Sequence, residues 1–175
     1  MAMPMVHVVA HATDLGHSTV RAAELLSVLL GASVISRLAW GLLSDRLGGL
    51  KTLMLGSMAQ ASVLSFYIFT ESLPGLYVVS AMFGLAYGGI VPAYTLIVRE
   101  LFPLREVGER LGFVYLFATI GMASGGFLGG YIFDLTDSYQ IAFAVGLAFN
   151  FGNLAMVVPL ARRHARTLAP QPSLA

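Results

Sequence analysis

Long apolar runs, broken by short polar connectors, dominate the chain. Five of them, 19–43, 53–69, 73–98, 111–133 and 139–160, approach the roughly 20 residues that a helix needs to cross a hydrocarbon core. A further run, 3–13, is too short to cross alone at about 1.5 Å per residue. The pattern predicts an all-α, polytopic membrane bundle over residues 1–161 whose first helix is truncated.

The connectors carry the expected punctuation. Gly16 is placed to end the first helix and Ser18 to cap the next. Ser44 to Lys51 reads as a tight charged turn. Pro74 lies just inside a helix start. Residues 162–175 are basic and then proline-rich, which predicts a disordered tail.

Charge adds orientation. Arg46, Lys51, Arg99, Arg105, Arg110, Arg162, Arg163 and Arg166 all fall in the second and fourth connectors and the tail. The first, third and fifth connectors hold Arg21 alone as a cation, with Asp14, Glu24, Glu71, Asp134 and Asp137. The positive-inside rule puts the basic set, and with it the C-terminus, in the cytoplasm of a cell bounded by this membrane. One missed or invented span would scramble this alternation.

Composition agrees. Hydrophobic residues make up 57% and charged residues 11%, with mean hydropathy +0.80, where a soluble domain carries about a quarter charged residues. A net charge of +1 argues against nucleic acid as a partner. The absence of cysteine excludes disulfides, thiol catalysis and cysteine-ligated zinc. No metalloprotease, hydrolase or nucleotide-binding signature occurs, so neither enzymatic activity nor a cofactor is expected. Residues 1–10 lack the basic leader of a signal peptide.

Arg37 is the one charge well inside a span, about seven residues before the expected helix end and so about 10 Å deep. An intramembrane arginine costs about 2.5–3.5 kcal/mol, so it needs a partner or water. Either it faces a cavity, where its fork suits a carboxylate, or it snorkels to the interface. Ser33 and Trp40 lie one turn away on its side of the helix. His7 and His11 are one turn apart; His11 is a candidate for proton coupling, or else a polar interfacial residue. No third ligand supports a metal site. Gly121, Gly125 and Gly129, like Gly84 and Gly88, form small faces suited to close helix contact. Tyr87, Pro92 and Tyr94 are candidates to line a cavity, and Asn150 and Asn153 to hydrogen-bond between helices.

The stretch Gly41-Leu42-Leu43-Ser44-Asp45-Arg46-Leu47-Gly48-Gly49-Leu50-Lys51 resembles the signature loop of the major facilitator superfamily, in which a basic residue stands where Gly49 stands here. With four long runs following it, the loop matches the second copy of that motif. Gly125 to Asp134 is similar to the end of the family's eleventh helix, and Glu100 to Gly112 to the connector before it. The resemblance implies a carrier of two six-helix halves working by alternating access. This chain would supply the C-terminal half, and the N-terminal half would be its partner. It further implies that Gly41, Asp45, Arg46, Gly48 and Lys51 form a gate. Asp45 would accept from the N–H groups of a neighbouring helix end, and Arg46 would pair with Glu100. Ser36 to Gly41 resembles the corresponding helix of monocarboxylate and oxalate/formate carriers. A small organic anion, with or without a proton, is thus the implied substrate, and Arg37, Ser33, Tyr87 and Tyr94 are its implied contacts. Ser33 replaces the acid usual in monocarboxylate carriers, so the resemblance does not imply proton coupling through that position; no basic residue of the kind expected in oxalate carriers lies in 111–133, which favours a monocarboxylate over a dicarboxylate. A drug or sugar carrier of the same fold, or a half-carrier that serves only as an interaction subunit, are the other readings.

Overall fold

The computed structural model describes residues 3–168, and the side chains up to residue 163. It is helical throughout: α1 Met3–Asp14, α2 Thr19–Leu47, α3 Gly49–Phe69, α4 Leu73–Tyr87, α5 Ile90–Leu101, a 3-10 turn Leu104–Glu106, α6 Val107–Thr136 and α7 Tyr139–Leu168. Among the described residues, five stretches are long and apolar enough to cross a membrane, with Leu73–Leu101 counted as one.

The break between α4 and α5 has a local cause. Pro92 has no N–H to give the Gly88 carbonyl, so the ladder lapses at Gly88 and Gly89 although both keep right-handed helical angles. The first connector forms as its residues dictate. Gly16 takes φ 85°, and the Ser18 hydroxyl accepts from the Arg21 N–H at 3.5 Å. Pro74 sits in the first turn of α4.

Elsewhere the helices overrun their expected ends. Residues 44–47, expected in a turn, belong to α2, and the turn shrinks to Gly48 at φ 82°, the C-cap of α2 and the residue before α3. Likewise α6 runs on to Thr136, and the reversal falls on Asp137 at φ 50°. Past Pro159, α7 continues through the basic residues to Leu168, into the stretch expected as a tail. The remainder of the expected tail, 169–175, lies outside the described residues.

Packing centres on the contact of α4 with α2. A Cβ at Gly84 would overlap the Leu29 carbonyl and Ala32, and one at Gly88 would overlap Ser36 and the Ser33 carbonyl. The two backbones meet because these positions carry no side chain. The Trp40 ring lies against Gly89, and its Nε1 donates to the Leu85 carbonyl at 2.7 Å. Buried Tyr67 and Ser80 join α3 to α4 through their hydroxyls at 2.8 Å.

Antiparallel α3 and α7 pack in a steady register. Tyr67 meets Phe143 with ring centroids 5.4 Å apart, Leu64 lies over Gly146, and the Asn153 amide donates to Ser57 Oγ at 3.1 Å. The same steps place Gln60 opposite Asn150. Both are 1% exposed, and neither amide has a hydrogen-bond partner among the described residues. Asn153 thus makes the interhelical bond expected of it, and Asn150 does not. An unpaired buried amide costs about 1–3 kcal/mol. Replacing either residue by leucine removes one unpaired amide, so each single replacement, and the two together, should be neutral or stabilising. Unfolding of the singles and the double in detergent checks this; a clear loss of stability in either single would show that its amide is bonded across the contact.

The expectation for α6 needs correction. Its glycine face was expected to be packed, yet only Gly129 is buried. A Cβ at Gly121 or Gly125 would meet nothing within 4 Å, whereas one at Gly129 would overlap the His7 ring.

Candidate functional site

Two ends of the bundle can be distinguished. At one, His17 Nε2 lies 3.0 Å from the Glu71 carbonyl and the Gln140 amide donates to the Glu71 carboxylate at 3.4 Å, so three connectors gather there. Arg21 and Glu24 pair at 3.0 Å near this end, and the Tyr77 hydroxyl donates to Glu24 across α2 and α4. Arg46, Lys51, Arg99, Arg105 and Arg110 lie in or beside connectors of the opposite end.

The gate residues assemble at that basic end, with different partners from those expected. Glu100, in the last turn of α5, accepts the Gly49 N–H at 3.0 and 3.3 Å through its two oxygens. The carboxylate thus caps the first turn of α3, where orphan N–H groups and the helix dipole favour an anion. Asp45 was expected to meet a helix end in this way; it is exposed, and Glu100 does so instead. Arg46 is exposed and makes no ion pair with Glu100, whereas Arg110 pairs with Glu106 at 3.1 Å. Helix α2 carries Asp45 and Arg46 onto its outer surface, and that removes both from the contact. Gly49 was the departure from the signature, and geometry accounts for it. A Cβ there would stand 2.6 Å from the Ile97 nitrogen and 3.0 Å from the Ala93 carbonyl. Gly48 and Lys51 flank the cap, while Gly41, one turn before Ser44, accepts the Ser44 hydroxyl at 2.7 Å.

Arg37 lies on α2, ten residues before that helix ends at Leu47. Its side chain is exposed and has no hydrogen-bond or ion-pair partner among the described residues. Ser33 is buried against α4, and its hydroxyl donates to the Leu30 carbonyl at 2.8 Å. Sequence reasoning did not single out Ser36 for this contact. Its hydroxyl lies 3.3 Å from the Gly84 carbonyl and 3.1 Å from that of Ser33, joining α2 to α4 behind Arg37.

Tyr87 and Tyr94 line a cavity of about 490 Å³ with Tyr115, Gly121, Gly125 and Met3. Neither Arg37 nor Ser33 borders it. The four expected substrate contacts therefore occupy two places. His11 is in neither. It is 3% exposed, its ring meets Tyr139 and Phe143 edge-on at 5.9 and 5.1 Å, and Nε2 has no hydrogen-bond partner. His7, one turn away, does have one: its Nε2 lies 2.9 Å from the Gly126 carbonyl.

A bundle of long apolar helices, with charges gathered at its two ends, defines a polytopic integral membrane protein. Residues 1–174 match the family model of the Major Facilitator Superfamily, and the chain belongs to that family. It is 32% identical over 160 residues to monocarboxylate transporter 13 of Bos taurus, covering 90% of this chain and 38% of that protein. The Rattus norvegicus protein of the same name is 30% identical, with 90% and 37% covered. The MFS transporter asaE of Aspergillus flavus is 32% identical over 120 residues, 68% of this chain and 27% of that protein. The chain thus spans less than two fifths of the length of these relatives. As a member of a family of transporters, it is not an enzyme.

Proposed function

We propose that this chain is the C-terminal half of a secondary carrier for a small monocarboxylate or related organic anion, operating by alternating access with an N-terminal six-helix half. In this reading the carrier lies in the cell membrane. The basic end, with Gly48 and Glu100, faces the cytoplasm together with the C-terminus. The observation that carries the reading is Arg37: an exposed guanidinium deep in a span, without a protein partner among the described residues. Such a group is tolerated where it meets water or an anion, and its planar fork matches a carboxylate. The names of the mammalian relatives point the same way. The Glu100 cap on α3 serves as the latch of the cytoplasmic side, with Asp45, Arg46 and Lys51 on its rim. His11 is the proposed proton site, and Ser33 and Ser36 hold α2 in register behind the arginine.

The test is uptake of labelled lactate, formate or oxalate into proteoliposomes. The isolated chain should carry nothing, because half the cavity wall is absent from it. Reconstituted with an N-terminal half, it should show saturable uptake, with lactate or formate preferred. In that assembly Arg37→Ala should weaken anion binding by about 10–100-fold, the equivalent of the 1.5–3 kcal/mol of a hydrogen bond to a charged group. Unchanged anion affinity in Arg37→Ala would instead favour a sugar or drug carrier with a snorkelling arginine.

A further inference from the structure

We infer that a groove between α2, α3 and α4 seats one acyl chain of an anionic phospholipid, whose phosphate Arg46 and Lys51 hold. This goes beyond the substrate reading and does not rest on it. The groove is a wedge of about 430 Å³, with Ile35, Ala39 and Trp40 of α2 on one side and Ala59 and Val63 of α3 on the other. Helix α4 packs on both and supplies the rest of the wall. Ile35 is 71% exposed and Leu85 47%, so the groove opens outward. Its wall suits hydrocarbon. No charged side chain borders it. The Ser36 hydroxyl is engaged with the Ser33 and Gly84 carbonyls, and Trp40 Nε1 with the Leu85 carbonyl. A polar solute would lose water here and find no free side-chain partner, whereas a methylene chain gains dispersion contacts.

Charge selects among lipids. Along α2, Ile35, Ala39, Leu42 and Arg46 follow at intervals of four, three and four residues and so share one stripe. Along α3, Lys51 and Leu55 lead to Ala59 at intervals of four. Helices α2 and α3 meet at Gly48, which brings Arg46 and Lys51 to the same end of the groove. Both are exposed, and the two stripes carry no acid. Of the acids near this turn, Glu100 is taken up by the Gly49 N–H, and Asp45 stands about 100° round α2 from Arg46. Depth agrees as well. Trp40 lies seven residues from Leu47, and Ala59 ten from Gly49, which sets the groove about 10–15 Å from the turn. The hydrocarbon of one leaflet is about 15 Å deep, half of a core of about 30 Å. A chain descending from a headgroup at Arg46 and Lys51 therefore ends in the groove.

Trp40 is the chain's only tryptophan and lines the groove, so its fluorescence reports the occupant. The full chain is reconstituted in phosphatidylcholine vesicles containing a minor share of phosphatidylglycerol, with one lipid or the other brominated at mid-chain. Bromine quenches the indole on contact. At equal mole fraction, brominated phosphatidylglycerol should quench Trp40 more than brominated phosphatidylcholine, with a relative affinity of about fivefold for each cation. Arg46→Gln and Lys51→Gln should each lower that preference about fivefold, and the two together should abolish it. Both side chains are exposed, so neither change disturbs packing. Arg105→Gln, exposed in a different connector, should leave the preference as it was. Ala59→Phe or Ala39→Leu, which fill the groove from either side, should reduce quenching by both lipids. Equal quenching by the two lipids in the parent, a preference that survives loss of both cations or falls as far with Arg105→Gln, or quenching untouched by filling the groove overturns the inference. None of these readouts measures transport, so the anion reading stands or falls separately.

Discussion

Gly84→Leu should prevent stable assembly of the bundle. At this position a Cβ would already overlap the Leu29 carbonyl and Ala32 on α2. The obstacle is backbone, which cannot rotate away as a side-chain tip can. Overpacking typically costs about 1–3 kcal/mol, occasionally more, and a whole leucine against a carbonyl belongs at the upper end. Displacing α4 from α2 would also strain the Ser36 bond to Gly84, the Trp40 bond to Leu85 and the Tyr77 bond to Glu24, all of which span the same pair of helices. The expected outcome is loss of the cooperative melting transition in detergent. Two controls separate packing from glycine loss in general. Gly121→Ala meets nothing within 4 Å and should gain up to about 1 kcal/mol from helix propensity. Gly146→Ala meets the Met3 sulfur at 3.2 Å, and that flexible side chain can move aside, so its cost should be small. A Gly84→Leu protein that melts like the parent would mean that α2 and α4 do not approach as described.

The second large effect is expected where Glu100 caps α3. Gly49→Val should drive α3 away from α5, because the added Cβ would stand 2.6 Å from the Ile97 nitrogen and 2.7 Å from its Cγ1. Once the helices separate, Glu100 no longer reaches the Gly49 N–H. Glu100→Gln isolates the electrostatic part. It keeps the shape of the side chain but removes the charge that faces the N-terminus of α3. A hydrogen bond to a charged group is worth about 1.5–3 kcal/mol, and a good part of that should be lost. In a reconstituted carrier this should appear as faster hydrogen exchange in the first turn of α3 and a basic end that opens more readily. If Gly49→Val exchanges no faster there than the parent, the cap contributes nothing to closure.

Much of this protein was legible along the chain. Apolar run length reported the number of spans, because lipid requires every buried backbone group to be satisfied within its own helix. Gly16, Ser18 and Pro74 marked their turns through their own conformational preferences, which need no distant partner. Tertiary structure decided the pairings. That Glu100, and not Asp45, caps α3 depends on α2 continuing through residues 44–47 and turning Asp45 outward. That Gly84 is crowded while Gly121 stands open depends on which helix lies opposite, and both look alike in sequence. Arg37 was conspicuous as a charge within an apolar run, but its separation from Tyr87 and Tyr94 became visible only once the helices were assembled. Local chemistry sets which segments are helical; contacts between distant residues, absent from any one segment, set what each face meets.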